Sequence, residues 1–119
     1  MIKNGDNEFL FCARENLSDE MYSMAENLIY LIRDYYDGNL EAGKRKKFTE
    51  RPDNFWSVTV QNRIDELNIT VRGSCEYFSN FKEIEIKKDR RDSYSRFKIT
   101  KETNINDALN IIKYAKRKL

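Results

Sequence analysis

The sequence predicts an α+β fold in which an antiparallel sheet of about four strands packs against two helices. Two patterns carry this prediction. Apolar residues recur at three- and four-residue steps near both ends of the chain, and they alternate with polar residues in the middle. The expected order is helix, four strands, helix. Two layers are the economical packing, because each amphipathic helix needs an apolar sheet face to cover.

The length and composition suit one domain spanning residues 1–119 with a single modest core. Hydrophobic residues make up 39% of the chain, enough to fill that core although 35% of the residues are charged. No apolar run approaches the roughly 18 residues of a membrane helix. The first residues also lack the apolar stretch of a signal peptide. We therefore expect a soluble protein in the cytoplasm, without a membrane partner.

Residues 1–38 are expected to hold an N-terminal segment and one long helix. The apolar run from Glu8 to Ala13 is too short for its periodicity to separate a strand from a helical turn. The helix is predicted from Ser18, a good N-cap, to Asp37, with Gly38 as its stop. Its apolar residues fall on one broad face: Met21, Met24, Ala25, Leu28, Leu31, Ile32 and Tyr35.

Residues 39–52 are predicted to be a basic linker. This stretch contains Gly43, the basic run Lys44–Lys47 and the only proline, Pro52. Proline disfavours helix at the residue that precedes it.

Residues 53–100 are expected to form the sheet. Two alternating runs, Asn54–Val60 and Leu67–Gly73, predict a hairpin joined by a short polar turn. Two further strands are predicted at about Lys82–Lys88 and Tyr94–Thr100, with a charged turn between them. Pairing in chain order would make this sheet a meander.

A C-terminal helix is predicted over residues 104–118. One apolar face collects residues at helical spacing, and the lysines and arginine of the last turns suit the negative end of a helix. The apolar residues of this face are Ile105, Ala108, Leu109, Ile112 and Ala115.

A family resemblance is carried by the patterns Asn54–Trp56, Leu67–Gly73 and Tyr94–Ile99 and by the apolar positions of the C-terminal helix. From residue 53 to residue 119 the chain resembles small α+β domains of bacteria and archaea. These are grouped near YjbR-like proteins and near domains associated with restriction-type nucleases. The resemblance implies the fold, and it brings no agreed catalytic residues to this chain.

Charge is distributed unevenly along the chain. Residues 1–43 carry a net charge of −6 and residues 44–119 a net charge of +8. Such asymmetry indicates contact with nucleic acid or a membrane surface.

Ten basic residues of the second part are the candidate contacts to nucleic-acid phosphates. They are Lys44, Arg45, Lys46, Lys47, Arg51, Arg63, Arg72, Arg90, Arg91 and Arg96. Exposed rings at Tyr77, Phe78 and Tyr94 could stack on the bases of a single strand. A competing interpretation treats these cations as a solvated surface.

The alternative function is a module that binds a protein partner or a second copy of itself. Its contact surface would be the apolar face of the first long helix or the ring-rich loop Tyr77–Phe78.

The sequence offers little for catalysis, so we expect a non-enzymatic binding module without cofactor or metal. A Cys/His zinc site or a Cys–His nucleophile pair cannot be built, because the chain has no histidine. The two cysteines, Cys12 and Cys75, lie far apart, and Cys12 is expected to be a buried thiol.

The strongest enzymatic pattern is that of a PD-(D/E)xK nuclease. Asp53 precedes a predicted strand, Glu85 and Lys87 have the ExK spacing, and Glu26 could complete a magnesium site. In a meander, however, two strand spacings of about 4.8 Å each separate Asp53 from Glu85. We therefore expect no nuclease activity.

Overall fold

The computed structural model describes residues 1–119 as three helices and one open sheet of six antiparallel strands. The predicted α+β class and antiparallel sheet are confirmed, whereas the predicted number of strands is wrong. The helices are α1 (Asn4–Asn16), α2 (Asp19–Tyr35) and α3 (Ile105–Tyr114). The strands are β1 (Asn39–Ala42), β2 (Lys47–Arg51), β3 (Trp56–Gln61), β4 (Glu66–Arg72), β5 (Lys87–Lys88) and β6 (Tyr94–Ile99).

The N-terminal segment is helical, which adds a third helix to the two predicted. Phe9, Leu10 and Ala13 are buried on one face of α1. The predicted long helix is present as α2, and Ser18 is its N-cap, accepting a hydrogen bond from the N–H of Met21. None of the three helices has the length and apolar character needed to cross a lipid bilayer.

The prediction of a linker over residues 39–52 is wrong, because this stretch forms the hairpin of β1 and β2. Its inward-facing residues include Leu40, Phe48 and Glu50, which are all buried. A carboxylate at an inward position breaks the apolar alternation that identifies a strand. Glu50 is paired with the buried Arg33 of α2, and this pairing cannot be read from the sequence. The strand is therefore not recognised from its pattern of residues alone.

The strand order is β1-β2-β3-β4-β6-β5, so the predicted meander fails at its last step. The hairpin of β3 and β4 is confirmed, with Trp56 opposite Val71 and Val60 opposite Leu67. Next to β4 lies β6, and the third predicted strand is reduced to the two residues of β5 at the edge. A central strand has to bury apolar residues, and β6 does so. The two lysines of β5 suit the exposed edge of the sheet.

All three helices pack on one face of the sheet. The inward residues Phe48, Val58, Ile69 and Phe97 lie in register across four strands and are buried under the helices. The ring of Phe9 in α1 meets that of Phe48 edge to face, with centroids 5.5 Å apart. The opposite face of the sheet carries no helix.

The edge of the sheet at β1 is covered by the first turn of α1. The N–H of Leu40 donates to Asp6 Oδ1 at 3.2 Å. A Cβ atom added to Gly5 would stand 1.6 Å from the carbonyl oxygen of Leu40, so α1 presses directly against the strand. This close approach is possible only with glycine at position 5.

Candidate nucleic-acid interface

The uncovered side of the sheet, called here the open face, is formed by the outward residues of β2 to β6. One row crosses five strands in register: Thr49, Ser57, Thr70, Arg96 and Lys87. The next row contains Lys47, Thr59, Asn68 and Lys98. Such alternation of an apolar inward face and a polar outward face is ordinary for an antiparallel sheet, but here the charged residues of both rows are all positive.

Seven of the ten predicted basic residues make no ion pair: Lys44, Arg45, Lys46, Lys47, Arg63, Arg90 and Arg96. The first three occupy the β1–β2 turn, and Arg63 lies in the β3–β4 turn at the same end of the sheet. Lys47 and Arg96 stand on the open face itself, whereas Arg90 lies in the β5–β6 turn at the opposite end. The fold thus spreads these cations over the length of one surface.

Two further predicted contacts have weak partners. Arg51 pairs with Glu41 at 3.0 Å, and Arg91 pairs with Asp89 at 3.3 Å. Both arginines are exposed, and ion pairs at an exposed surface contribute little. An incoming anion can therefore replace either carboxylate.

Arg72 differs from the other predicted contacts because it is buried. Its guanidinium donates to Asp53 Oδ1 at 2.9 Å, and also to Asn54 and to the carbonyl of Lys116. Burial alone would lower the pKa of Arg72, but hydrogen bonds with Tyr94 and Asp53 outweigh it and raise that pKa. Arg72 thus holds the start of β3 to the segment after α3, and it is not free to meet a phosphate.

The three predicted stacking rings are already engaged within the protein. Phe78 is buried, and Tyr77 stacks on Tyr114 with centroids 4.6 Å apart. Tyr94 is the only one on the open face, and the guanidinium of Arg91 lies 3.7 Å from its ring centroid. The face therefore offers one ring rather than a platform for several bases.

The apolar surfaces predicted for a protein partner are also used internally. The inner side of α2, with Met21, Leu28 and Ile32, is fully buried in the core. Phe78 of the ring-rich loop packs there as well. Exposed apolar residues elsewhere, such as Phe11 and Ile64, are scattered on separate elements.

The predicted nuclease residues do not come together. Asp53 precedes β3 and Glu85 precedes β5, and the observed order puts three strand spacings, about 14 Å, between those strands. The Asp53 carboxylate already accepts hydrogen bonds from Arg72 and from the N–H groups of Lys118 and Leu119. No group of three metal-ligating side chains is present in the chain.

Two hollows interrupt the open face. A groove of about 810 Å³ lies beside β6 and mixes the bases Lys87, Arg96 and Lys98 with four carboxylates, Glu83, Glu85, Glu102 and Asp107. A smaller recess of about 140 Å³ lies over β2 and β3. Its nine lining residues contain no carboxylate: Lys47, Thr49, Arg51, Asn54, Trp56, Ser57, Thr70, Arg91 and Tyr94.

Sequence reasoning missed a buried charge cluster in which Arg33 lies between Asp6 and Glu50. All five N–H groups of the guanidinium donate hydrogen bonds, to both carboxylates and to the carbonyl of Tyr36. Trp56 Nε1 donates to Glu50 at 2.8 Å. The three charged residues are at least 17 positions apart in the chain, so no local sequence pattern predicts that they meet.

This cluster is buried, since Arg33, Asp6 and Glu50 are at most 4% exposed. It holds elements of the fold together and does not contact a ligand at the surface.

No family model matches this sequence, and no curated protein or solved structure is similar enough to count as a match. The resemblance of residues 53–119 to YjbR-like and nuclease-associated domains therefore stays a prediction.

Proposed function

We propose that this chain is a non-enzymatic module that binds nucleic acid by contacting backbone phosphates with the open face of its sheet. The observation that carries the proposal is the set of seven cations without ion-pair partners on one face and its two ends. Each Lys or Arg that neutralises a phosphate releases condensed counterions, which favours binding.

The acidic residues support the same orientation. In α1 and α2 the exposed charges include Glu8, Glu15, Asp19, Glu20 and Asp34, and these helices cover the opposite face of the sheet. The acidic first part of the chain thus lies on the helix side, together with the basic residues of α3, and the unpaired cations of the strands and turns lie on the open face and at its ends. A polyanion approaching the acidic surface of α1 and α2 is repelled, and one approaching the cations of the open face is attracted.

The size of the open face suits a short stretch of nucleic acid. The five strands of the open face, at about 4.8 Å spacing, span roughly 19 Å. That length matches between five and six base pairs of duplex at about 3.4 Å each. Because the face carries a single ring, Tyr94, we expect phosphate contacts to dominate and sequence preference to be weak.

Fluorescence anisotropy with labelled DNA and RNA, measured from low to moderate salt, tests the proposal. The logarithm of the binding constant should fall linearly with the logarithm of salt concentration. The slope should be no steeper than about −9, since the seven free cations, Lys87 and the weakly paired Arg51 and Arg91 make ten contacts at about 0.9 ions each. The double variant Lys47→Gln/Arg96→Gln should reduce that slope by about 2.

The matched control removes the same charges from the helix side, as Arg14→Gln/Lys113→Gln. Both residues are exposed, and they lie in α1 and α3. This variant should bind like the parent protein. Equal losses in both doubles would show that net charge alone matters, and absence of binding at low salt would refute the proposal.

A further inference from the structure

The recess on the open face has a floor of hydroxyl groups. Thr49, Ser57 and Thr70 lie side by side on β2, β3 and β4, in one row of the register. Neighbouring side chains in such a row are about 5 Å apart. The serine stands between two threonines, and its shorter side chain leaves room at the centre.

These hydroxyls have no partner within the protein. Ser57 is 5% exposed and Thr70 is 7% exposed, and neither side chain takes part in any of the hydrogen bonds found in the structure. Their hydroxyl oxygens are not among the fully buried unpaired atoms of the chain, which are Glu66 Oε1 and Arg117 Nε, so both hydroxyls are accessible from the recess. A ligand with hydrogen-bond acceptors can take up these free donors.

The walls of the recess supply donors and positive charge. Lys47 and Arg51 flank Thr49 on β2, two residues to either side and on the same face. Arg91 stands on the far wall with Tyr94. Asn54 turns its carbonyl oxygen to Arg72, which leaves its amide nitrogen free to donate.

The composition of the walls selects the charge of the ligand. The recess contains no carboxylate, whereas the neighbouring groove contains four. The volume of about 140 Å³ corresponds to about five waters at 30 Å³ each, enough for one tetrahedral oxyanion.

We propose that this recess is a phosphate-binding site that seats one backbone phosphate over Ser57, with Thr49 and Thr70 donating from the sides and Lys47 and Arg51 closing from above. The proposal deepens the nucleic-acid function proposed above and rests on it. The shared chemistry is a phosphate oxyanion, which a phosphodiester or a free phosphate can supply. The row continues from Thr70 to Arg96 and Lys87, so a strand seated here would run across the sheet toward the groove.

The test is a titration of ¹⁵N-labelled protein, first with inorganic phosphate and then with a dithymidine phosphodiester, followed by NMR. Saturable shifts should appear at the amides of Thr49, Ser57 and Thr70. The variant Thr70→Val keeps the shape of the side chain and removes only the hydroxyl. It should weaken binding of both probes roughly tenfold, as expected for a hydrogen bond to a charged group.

The matched control is Thr59→Val. Thr59 lies two residues from Ser57 on the same strand and the same face, but it does not line the recess. This variant should bind both probes as the parent does. A second variant, Ser57→Val, fills the recess with a residue that strands favour and should abolish the shifts. Equal affinities of Thr70→Val and Thr59→Val for phosphate would overturn the proposed site.

An oligonucleotide arm separates this proposal from the proposed function. Salt-dependent binding of an oligonucleotide that Thr70→Val leaves unchanged would refute the recess and preserve the function. A different outcome is that inorganic phosphate changes the NMR shifts of the recess amides, whereas the phosphodiester and the oligonucleotide do not. This would refute both the phosphodiester assignment and the nucleic-acid function. Loss of oligonucleotide affinity in Thr70→Val but not in Thr59→Val supports both proposals together.

Discussion

Two of the arginines on the chain are removed from water for different purposes. Arg33 joins α1, α2 and β2 by pairing with Asp6 at 2.7 Å and with Glu50 at 2.9 Å. Arg72 joins β4 to the start of β3 through Asp53. The sequence shows only that each is an arginine, because pairing depends on residues distant in the chain. This is why Arg72 could be mistaken for a phosphate contact.

Arg33→Met should destabilise the protein by about 3–5 kcal/mol, because it leaves two carboxylates buried without a partner. Urea denaturation followed by circular dichroism measures the change. The control Arg14→Met removes an exposed arginine that lies over the Tyr22 ring, and it should cost less than about 1 kcal/mol. Similar effects of the two substitutions would show that the buried cluster contributes nothing specific.

Asp53 makes stability depend on acid pH. Burial alone would raise the pKa of Asp53, but hydrogen bonds from Arg72, Lys118 and Leu119 outweigh it and hold that pKa below its ordinary value. The ionised form is therefore favoured in the folded state. Its contribution is fully present above the ordinary pKa of about 3.9 and is lost as the pH falls through the lower folded pKa.

The variant Asp53→Asn should be less stable than the parent at pH 7 and should lose less stability between about pH 4 and pH 2. Urea midpoints measured across this range check the prediction. Parallel curves for the parent and the variant would contradict it.

Among the elements, the hairpins differ in how well the sequence predicts them. The β3–β4 hairpin and β6 follow from clean alternation of apolar and polar residues, α2 follows from its periodicity and its N-cap Ser18, and α3 follows from its apolar face and the basic residues of its last turns. The β1–β2 hairpin escapes prediction because Glu50 stands where an apolar residue is expected. The segment before β5 fails in the opposite way: Ile84 and Ile86 alternate with charges, yet the paired strand is only two residues long.

The turn of the β1–β2 hairpin is built from residues that disfavour its geometry. Arg45 and Lys46 have φ values of 59° and 61°, and the N–H of Lys47 donates to the carbonyl of Lys44. Two central residues with positive φ are typical of a type I′ turn, for which Asn-Gly is preferred. The charge that Arg45 and Lys46 place at this tip therefore comes with backbone strain.

Arg45→Asn/Lys46→Gly should therefore stabilise the protein by about 1 kcal/mol while weakening nucleic-acid binding. Thermal unfolding should shift upward by roughly 4 °C, and anisotropy should show the lower affinity. Lys44→Asn is the control, because the backbone of Lys44 is not in the positive-φ region. This control should leave the melting temperature unchanged. A fall in the melting temperature of the double variant would show that the native turn is not strained.

At the scale of the molecule, the sequence predicts the α+β class and the charge asymmetry, but not their spatial relation. Only the structure shows that α1 and α2 place acidic residues on one side of the sheet, whereas the strands and turns place unpaired basic residues on the other side and at its ends. This follows from the packing of all helices on one face. Sheet order, which decides that Asp53 and Glu85 stay apart, likewise depends on long-range pairing.

Removing acidic charge from the helix side should raise nucleic-acid affinity only at low salt. Glu8 and Glu15 are exposed on α1, so at least the helix diameter of about 10 Å separates them from the open face. The Debye length is about 30 Å at 0.01 M salt but about 8 Å at 0.15 M. Glu8→Gln/Glu15→Gln should thus bind two- to threefold more tightly, as a rough expectation, at 0.01 M and unchanged at 0.15 M. An effect that persists at 0.15 M would place these residues near the ligand.

The covered edge at β1 has a consequence for behaviour at high concentration. A sheet with a free edge can template the addition of strands from other molecules, and this is the first step toward fibrils and precipitates. At the β1 edge, Asp6 accepts a hydrogen bond from the N–H of Leu40, and the close approach of Gly5 leaves no space beside the carbonyl oxygen of Leu40. The other edge ends in two lysines, Lys87 and Lys88. Both ends of the sheet are thus closed to edge-to-edge growth, one by a helix turn and one by charge. Loosening α1 from β1 would therefore endanger the colloidal stability of the protein before it unfolds the core.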